Sequence, residues 1–172
     1  LQYVPNADFF TELMIRQEVC ASCELENTSV RFYDFYEYRS KDFDLQDNML
    51  SAIKYAQDTA FSESAMRTIH GILETATVTE SEYRKNDGFS CDDIFRLHAS
   101  QPIPFGWISA EIKDMIKYIS KVDSQYALVS AVKIQYQLEV LKPFNQYSRA
   151  IARIVAMLMI IKSGLINHSA LW

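Results

Sequence analysis

The stretch LKPFNQYSRAIAR, residues 141–153, gathers polar and cationic residues between two apolar segments. Lys142, Asn145, Gln146, Ser148 and Arg149 crowd a short turn. Arg149 and Arg153 stand four residues apart, so on a helix they project from one face. Pro143 cannot continue a preceding helix, and the residues from Ser148 onward are apolar enough to start a new one. A turn at a helix start presents unpaired backbone N–H groups and the positive end of the helix dipole. Two guanidiniums and one ammonium beside them suit an anion, a phosphate above all. The same residues also suit a surface turn whose arginines pair with carboxylates elsewhere, and taken alone they allow both readings.

A second spacing with chemical potential is Cys20-x-x-Cys23, which fits a redox pair or half of a zinc site. No βαβ pattern surrounds it. Cys91 and the scattered His70, His98 and His168 supply no second half-site at ligand spacing, so no metal site is predicted. The pair reads as two positions on a partly buried helix face. Three cysteines make no disulfide framework, which points to a reducing compartment and so to the cytoplasm.

The elements that must position these residues are helical. Of 172 residues, 49% are apolar, and there are only four Gly and four Pro, so the chain is poor in breakers and of a length for one domain. A net charge of −5 argues against direct nucleic-acid binding. No segment reaches the roughly 18 apolar residues of a membrane span. The best run, Ile154 to Ile161, lies between Arg153 and Lys162. The chain starts at Leu rather than Met, and further domains on either side stay open.

Along the chain, apolar spacing predicts a helix from Phe9 to Leu25 with Asn6 as its cap. Residues 26–48 mix six aromatics with charges and read as a connection or a short extended segment. Asn48–Thr59 and Glu63–Ala76 read as two helices, the second carrying His70 within its apolar stripe as a satisfied core histidine. Residues 77–106 hold two of the glycines and two of the prolines and suit a small β-hairpin or long loop. Trp107–Ser120 is a clear amphipathic helix. Tyr126–Leu141, with Leu128, Val132, Ile134, Tyr136, Leu138 and Leu141, reads as largely buried, and the last helix runs from about Ser148 to Gly164. The expected fold is one mainly α domain of six to eight helices with a hairpin-like insertion.

The segment VKIQYQLEVLKPFNQYSRAIARIVAMLMIIKSGL resembles the motif region of Fic-domain proteins, whose signature is HPFx(D/E)GNGRxxR between two helices. Upstream, SCELEN, residues 22–27, resembles the family's inhibitory pattern (S/T)xxxE(G/N) at the end of an N-terminal helix, here residues 1–27. SEYRKNDGF is similar to the flap that precedes the active site, within residues 77–106, and QPIPFGWISAEIKDMIKYI to the helix after it. With the motif helices at 126–164, the four matches keep the family's order across nearly the whole chain.

The resemblance implies an all-α fold that transfers AMP from ATP to a protein hydroxyl. It assigns the general-base position to Lys142 and the phosphate or nucleotide contacts to Phe144, Asn145, Ser148, Arg149 and Arg153. It further assigns the inhibitory contact to Ser22, Glu26 and Asn27, and the flap to Tyr83, Arg84 and Lys85. The departures weigh against activity. Lys142 replaces the histidine, and a lysine ammonium has no lone pair with which to take a hydroxyl proton. Gln146 replaces the metal-binding acid and, being neutral, is a poor partner for Mg²⁺. Tyr147, Ser148 and Arg149 replace Gly-Asn-Gly, which puts side chains where a backbone must approach a pyrophosphate, and Ala150 replaces the first arginine.

The expectation is therefore a degenerate Fic-like domain, a pseudoenzyme that regulates or binds an unidentified protein partner and keeps an anion-binding turn. No cofactor is assigned on this reading. Two alternatives are an active AMPylator-like transferase of altered chemistry, which would need ATP and Mg²⁺, and an unrelated helical protein. A homodimer stays open.

Overall fold

The computed structural model describes residues 7–26, 43–87 and 103–165. Among these residues it holds six α-helices: α1 (Ala7–Leu25), α2 (Phe43–Asp58), α3 (Glu63–Thr75), α4 (Ile108–Ile119), α5 (Ala127–Leu141) and α6 (Ser148–Lys162). The fold is mainly α. Single 3₁₀ turns at Phe105–Trp107 and Ser124–Tyr126 lead into α4 and α5.

Helix α6 is the axis of the core. Every residue from Ile154 to Ile160 is buried, as are Ala150, Ile151 and Ala152. An all-apolar helix of this kind is stable only when other helices surround it. Helix α5 packs along it most extensively, folded back by the turn at residues 142–147, while α2 and α3 also touch it. Helix α1 lies on α2, α2 on α3, and α4 bridges α3 and α5.

Helix α2 starts at Phe43, earlier than the expected Asn48. Its apolar face already includes Leu45, which with Met49, Ala52, Ile53 and Ala56 enters the core, while the acidic residues near its start disguise the period. Helix α3 has a defined start, where the Ser62 hydroxyl accepts the Ala65 N–H at 3.1 Å. It ends at Ala76 in the left-handed region, φ 58°.

After α3 the chain runs extended over residues 79–86 along the flank of the helix it has just left. Gly71 makes this approach feasible, since a Cβ there would sit 1.9 Å from the Thr79 carbonyl oxygen. The Arg67 guanidinium fastens the segment by donating to the Ser81 carbonyl at 2.7 Å and pairing with Glu80 at 3.0 Å. The expected hairpin is not seen among the described residues, where no strand occurs; residues 88–102 of the 77–106 segment lie outside them.

One expectation is corrected. Helix α5 is not largely buried, because Leu128, Val132 and Tyr136 are each more than half exposed while Ile134, Leu138 and Leu141 are buried. Apolar residues occupy both sides of this helix, so a period counted from one side alone cannot show which face meets the core.

Candidate functional site

The turn between α5 and α6 is built by two residues forced into the left-handed region. Lys142 closes α5 at φ 43°, with its N–H on the Leu138 carbonyl, and Tyr147 opens α6 at φ 56°. A non-glycine residue there costs about 1–2 kcal/mol, so the surroundings must hold the turn in place. Ser148 does part of this, its hydroxyl accepting the Phe144 N–H at 3.1 Å and donating to the Phe144 carbonyl at 2.9 Å. The Phe144 ring is buried and stacks on His70, with centroids 4.0 Å apart and planes 7° apart.

His70 ties the turn to α3 and to the extended segment. Its Nε2 lies 3.2 Å from the Gln146 carbonyl, which can only accept, so Nε2 carries the proton. The Ser81 hydroxyl lies 2.7 Å from Nδ1 and 3.1 Å from the Arg67 carbonyl, so its one proton is shared between two acceptors. Burial holds the His70 pKa below its usual value, against the opposing pull of Glu74 and the Gln146 carbonyl. The histidine is a satisfied, neutral core residue, as its place in an apolar stripe implies.

Arg84 fastens the turn from the other direction. Its side chain is fully buried. The guanidinium donates to the carbonyls of Lys142 at 2.8 Å, Asn86 at 2.7 Å and Leu141 at 3.4 Å, as well as to the Ile103 carbonyl and the Asp87 carboxylate. Its backbone N–H meets the Pro143 carbonyl at 3.0 Å. One cation thus satisfies the last carbonyls of α5 and joins the extended segment to the turn.

Arg153, one turn into α6, reaches the far end of α1 instead. Its Nε donates to the Ser22 hydroxyl at 3.1 Å, and a terminal nitrogen donates to the Ser22 carbonyl and to Glu26, both at 3.2 Å. The ion pair is well covered, the two side chains being 14% and 10% exposed. Glu18 stands one turn before Ser22 and is also buried. Burial raises its pKa, while Arg153 and a hydrogen bond from Ser22 pull it down. Its Oε2 has no hydrogen-bond partner among the described residues. Glu18, Ser22 and Glu26, spaced by four, form one polar stripe aimed at one arginine.

The residues singled out from sequence therefore divide. The turn brings together Lys142, Phe144, Ser148 and Arg149 with Arg153, and α1 brings Ser22 and Glu26 to Arg153; Lys142 and Arg149 are half-buried, and Asn145 is exposed. Asn27 lies outside the described residues. In the extended segment the Tyr83 hydroxyl donates to Glu63 at 3.2 Å, its ring centroid lies 5.3 Å from that of Phe144, and exposed Lys85 pairs with Glu82. Burial and the Glu63 carboxylate push the Tyr83 phenol well above its ordinary range, so it stays protonated. Cys20 and Cys23 are both buried on α1, with Cys20 Sγ facing the Gln46 amide at 3.9 Å.

The structural roles of Arg84, Ser81, Gly71 and Glu18 emerge only from the fold. A sequence signal exists for Gly71 alone, an isolated glycine inside a helical pattern, which often marks close backbone approach.

The donor set does not fit Mg²⁺. Position 146 offers a neutral side-chain amide, its backbone carbonyl is taken by His70, and no group of three His, Cys, Asp or Glu residues converges among the described residues. No described helix is long and apolar enough to cross a membrane. Compared with family models and with curated proteins, the sequence matches none.

Proposed function

We propose that the chain is a degenerate Fic-like domain that acts as a regulatory or protein-interaction module rather than as an adenylyltransferase. The observation that carries this reading is the engagement of Arg153 by Ser22 and Glu26 at the end of α1. The last arginine of the motif-like turn is the position that would grip a nucleotide phosphate, and here its Nε and one terminal nitrogen are engaged by the chain itself. The left-handed Tyr147 supports the same reading, because it keeps a glycine-type backbone while adding a ring that a pyrophosphate would have to displace. A protein so arranged retains the scaffold and its closing helix without the base or the metal carboxylate.

Incubation with radiolabelled ATP and Mg²⁺ tests the proposal, together with a thermal-shift series of ATP, ADP and other nucleotides. The expected result is no labelling of the chain or of a model protein, and none after Lys142→His alone. A base contributes about 10²–10⁴-fold, but it cannot act on a donor that is not held. Robust labelling by the unaltered chain would overturn the proposal in favour of an altered transferase.

A further inference from the structure

The end of α6 lies beside the start of α5, since the turn at residues 142–147 folds one helix back along the other. Between them and the α4–α5 connection opens a pocket of about 290 Å³. Helix α6 lines it with Val155, Leu158, Met159 and Lys162, which at spacings of three and four share one face. Helix α5 contributes only Ala127, whose methyl group leaves space that a larger side chain would fill. Val155, Leu158, Met159 and Ala127 are all buried, so the floor is apolar. Phe61 and Val122, both half-buried, stand as walls.

The mouth differs from the floor. Lys162, exposed in the last turn of α6, is the one charged residue among the described residues that line the pocket. Its Nζ donates to the Thr59 carbonyl at 2.7 Å, which uses one of three protons. No carboxylate pairs with it among the described residues. The nearby Asp123 is turned on its own loop, accepting the Gln125 N–H at 3.2 Å and the Gln125 side-chain amide at 2.9 Å. The negative end of α6 and the positive end of α5 meet here and largely offset each other. The lysine charge is therefore what an incoming group encounters.

We propose that this pocket binds a small amphipathic carboxylate, its apolar body seated on Leu158 and Met159 and its carboxylate on Lys162. An apolar lining with a few polar groups at one end is the composition of small-molecule sites, and the volume falls at the lower edge of their range. At about 30 Å³ per atom, the share of a water molecule in the liquid, it has room for about ten non-hydrogen atoms. A nucleotide would have to lay its polar groups on a floor without donors, which is costly. A purely apolar ligand would leave the cation unused.

Octanoate, with about ten non-hydrogen atoms, is the probe, and octanol is its uncharged counterpart. Calorimetry and amide-shift mapping by NMR on the 172-residue chain provide the measurements. Saturable one-to-one binding of octanoate is expected with a Kd of about 0.1–1 mM, and the shifts should centre on residues 119–127 and 155–163. Lys162→Met should weaken octanoate about three- to fivefold, the worth of an exposed ion pair, and leave octanol unchanged. Ser124→Trp, at an exposed position on the rim, narrows the mouth and should weaken both ligands. Circular dichroism should show the unaltered helix content in each variant. Absence of saturable octanoate binding overturns the proposal, as do shifts centred elsewhere. It also fails if Lys162→Met affects the two ligands alike or if Ser124→Trp affects neither. No step involves a nucleotide, so the outcome does not depend on the function proposed above.

Discussion

Two arginines serve the same turn by different means. Arg84 is buried with its positive charge spread over the carbonyls of Leu141, Lys142, Asn86 and Ile103, and half-exposed Asp87 stands at the margin. Arg153 is largely covered and pairs with a carboxylate and a hydroxyl from a helix more than a hundred residues away in sequence. The first arrangement replaces backbone hydrogen bonds that the chain cannot make for itself at the end of α5. The second makes no backbone geometry; it decides whether α1 stays docked. Closure of a turn and docking of a helix thus rest on the same residue type, and the partners distinguish them.

The largest effect should come from Arg84. Arg84→Met keeps the stem volume but strands several carbonyls and should cost about 3–5 kcal/mol, the range for breaking a buried charged network. For a domain of this length that is a fall of roughly 10 °C in Tm. Arg84→Lys should recover only part, because an ammonium has three donors and no planar fork. Chemical denaturation of both variants provides the measurement. A loss below about 1 kcal/mol would mean that water reaches these carbonyls and that Arg84 does not close the turn.

A smaller effect is expected at the other arginine, and a double-mutant cycle isolates it. Glu26→Gln, Arg153→Met and their combination should show a coupling of about 1–3 kcal/mol, as for groups sharing one buried network. Coupling near zero would place the pair among exposed ion pairs, and the docking of α1 would then rest on the packing of residues such as Ile15, Val19 and Cys23. If the pair holds, Glu26→Gln should also make residues near the end of α1 more sensitive to proteolysis, whereas Arg84→Lys should not do so selectively.

The contrast between the two arginines extends to how each can be read from sequence. The Glu26–Arg153 contact is legible because both residues fall on the resembling patterns and their spacings put them on helices. Helices α3, α4 and α6 are legible because their apolar periods are strong and a clear breaker or cap bounds each. Arg84 is not legible as a structural residue, since a cation in a polar loop gives no sign that it will meet carbonyls from α5. Its role arises only when Gly71 lets the extended segment lie against α3. The two faces of α5 escape a sequence reading for a related reason: apolar content shows that a helix buries something, but not which side the fold itself covers. Glu18 carries no signal at all, because a buried carboxyl and a solvated one look alike in a helix of mixed charge.

The smallest effect is a pH dependence, which should separate the two arginine sites by sign. Most partners of Arg84 are carbonyls and do not titrate. Near Arg153 lies Glu18, whose pKa is raised above the ordinary 4.5 by burial, with Arg153 and Ser22 opposing. Between those two values the folded form holds a proton that the unfolded chain has already lost. The stability it contributes is fully present below pH 4.5 and is lost as pH rises through its folded value. His70 works in the opposite sense. Burial lowers its pKa from 6.5, so its contribution is complete above pH 6.5 and is lost as pH falls toward the folded value. Wherever the two windows overlap, the slopes oppose each other. Glu18→Gln should remove the decline that begins above pH 4.5, leaving the histidine's rise toward pH 6.5 exposed. His70→Gln should do the reverse. Arg153→Met removes the cation that favours the Glu18 carboxylate, so it should carry the decline to higher pH, whereas Arg84→Lys should leave both slopes as they are. Urea unfolding across the acid-to-neutral range in these backgrounds checks each sign. A Glu18→Gln profile identical to that of the unaltered chain would remove Glu18 from the environment of Arg153 and leave Glu26 as its sole acidic partner on α1 among the described residues.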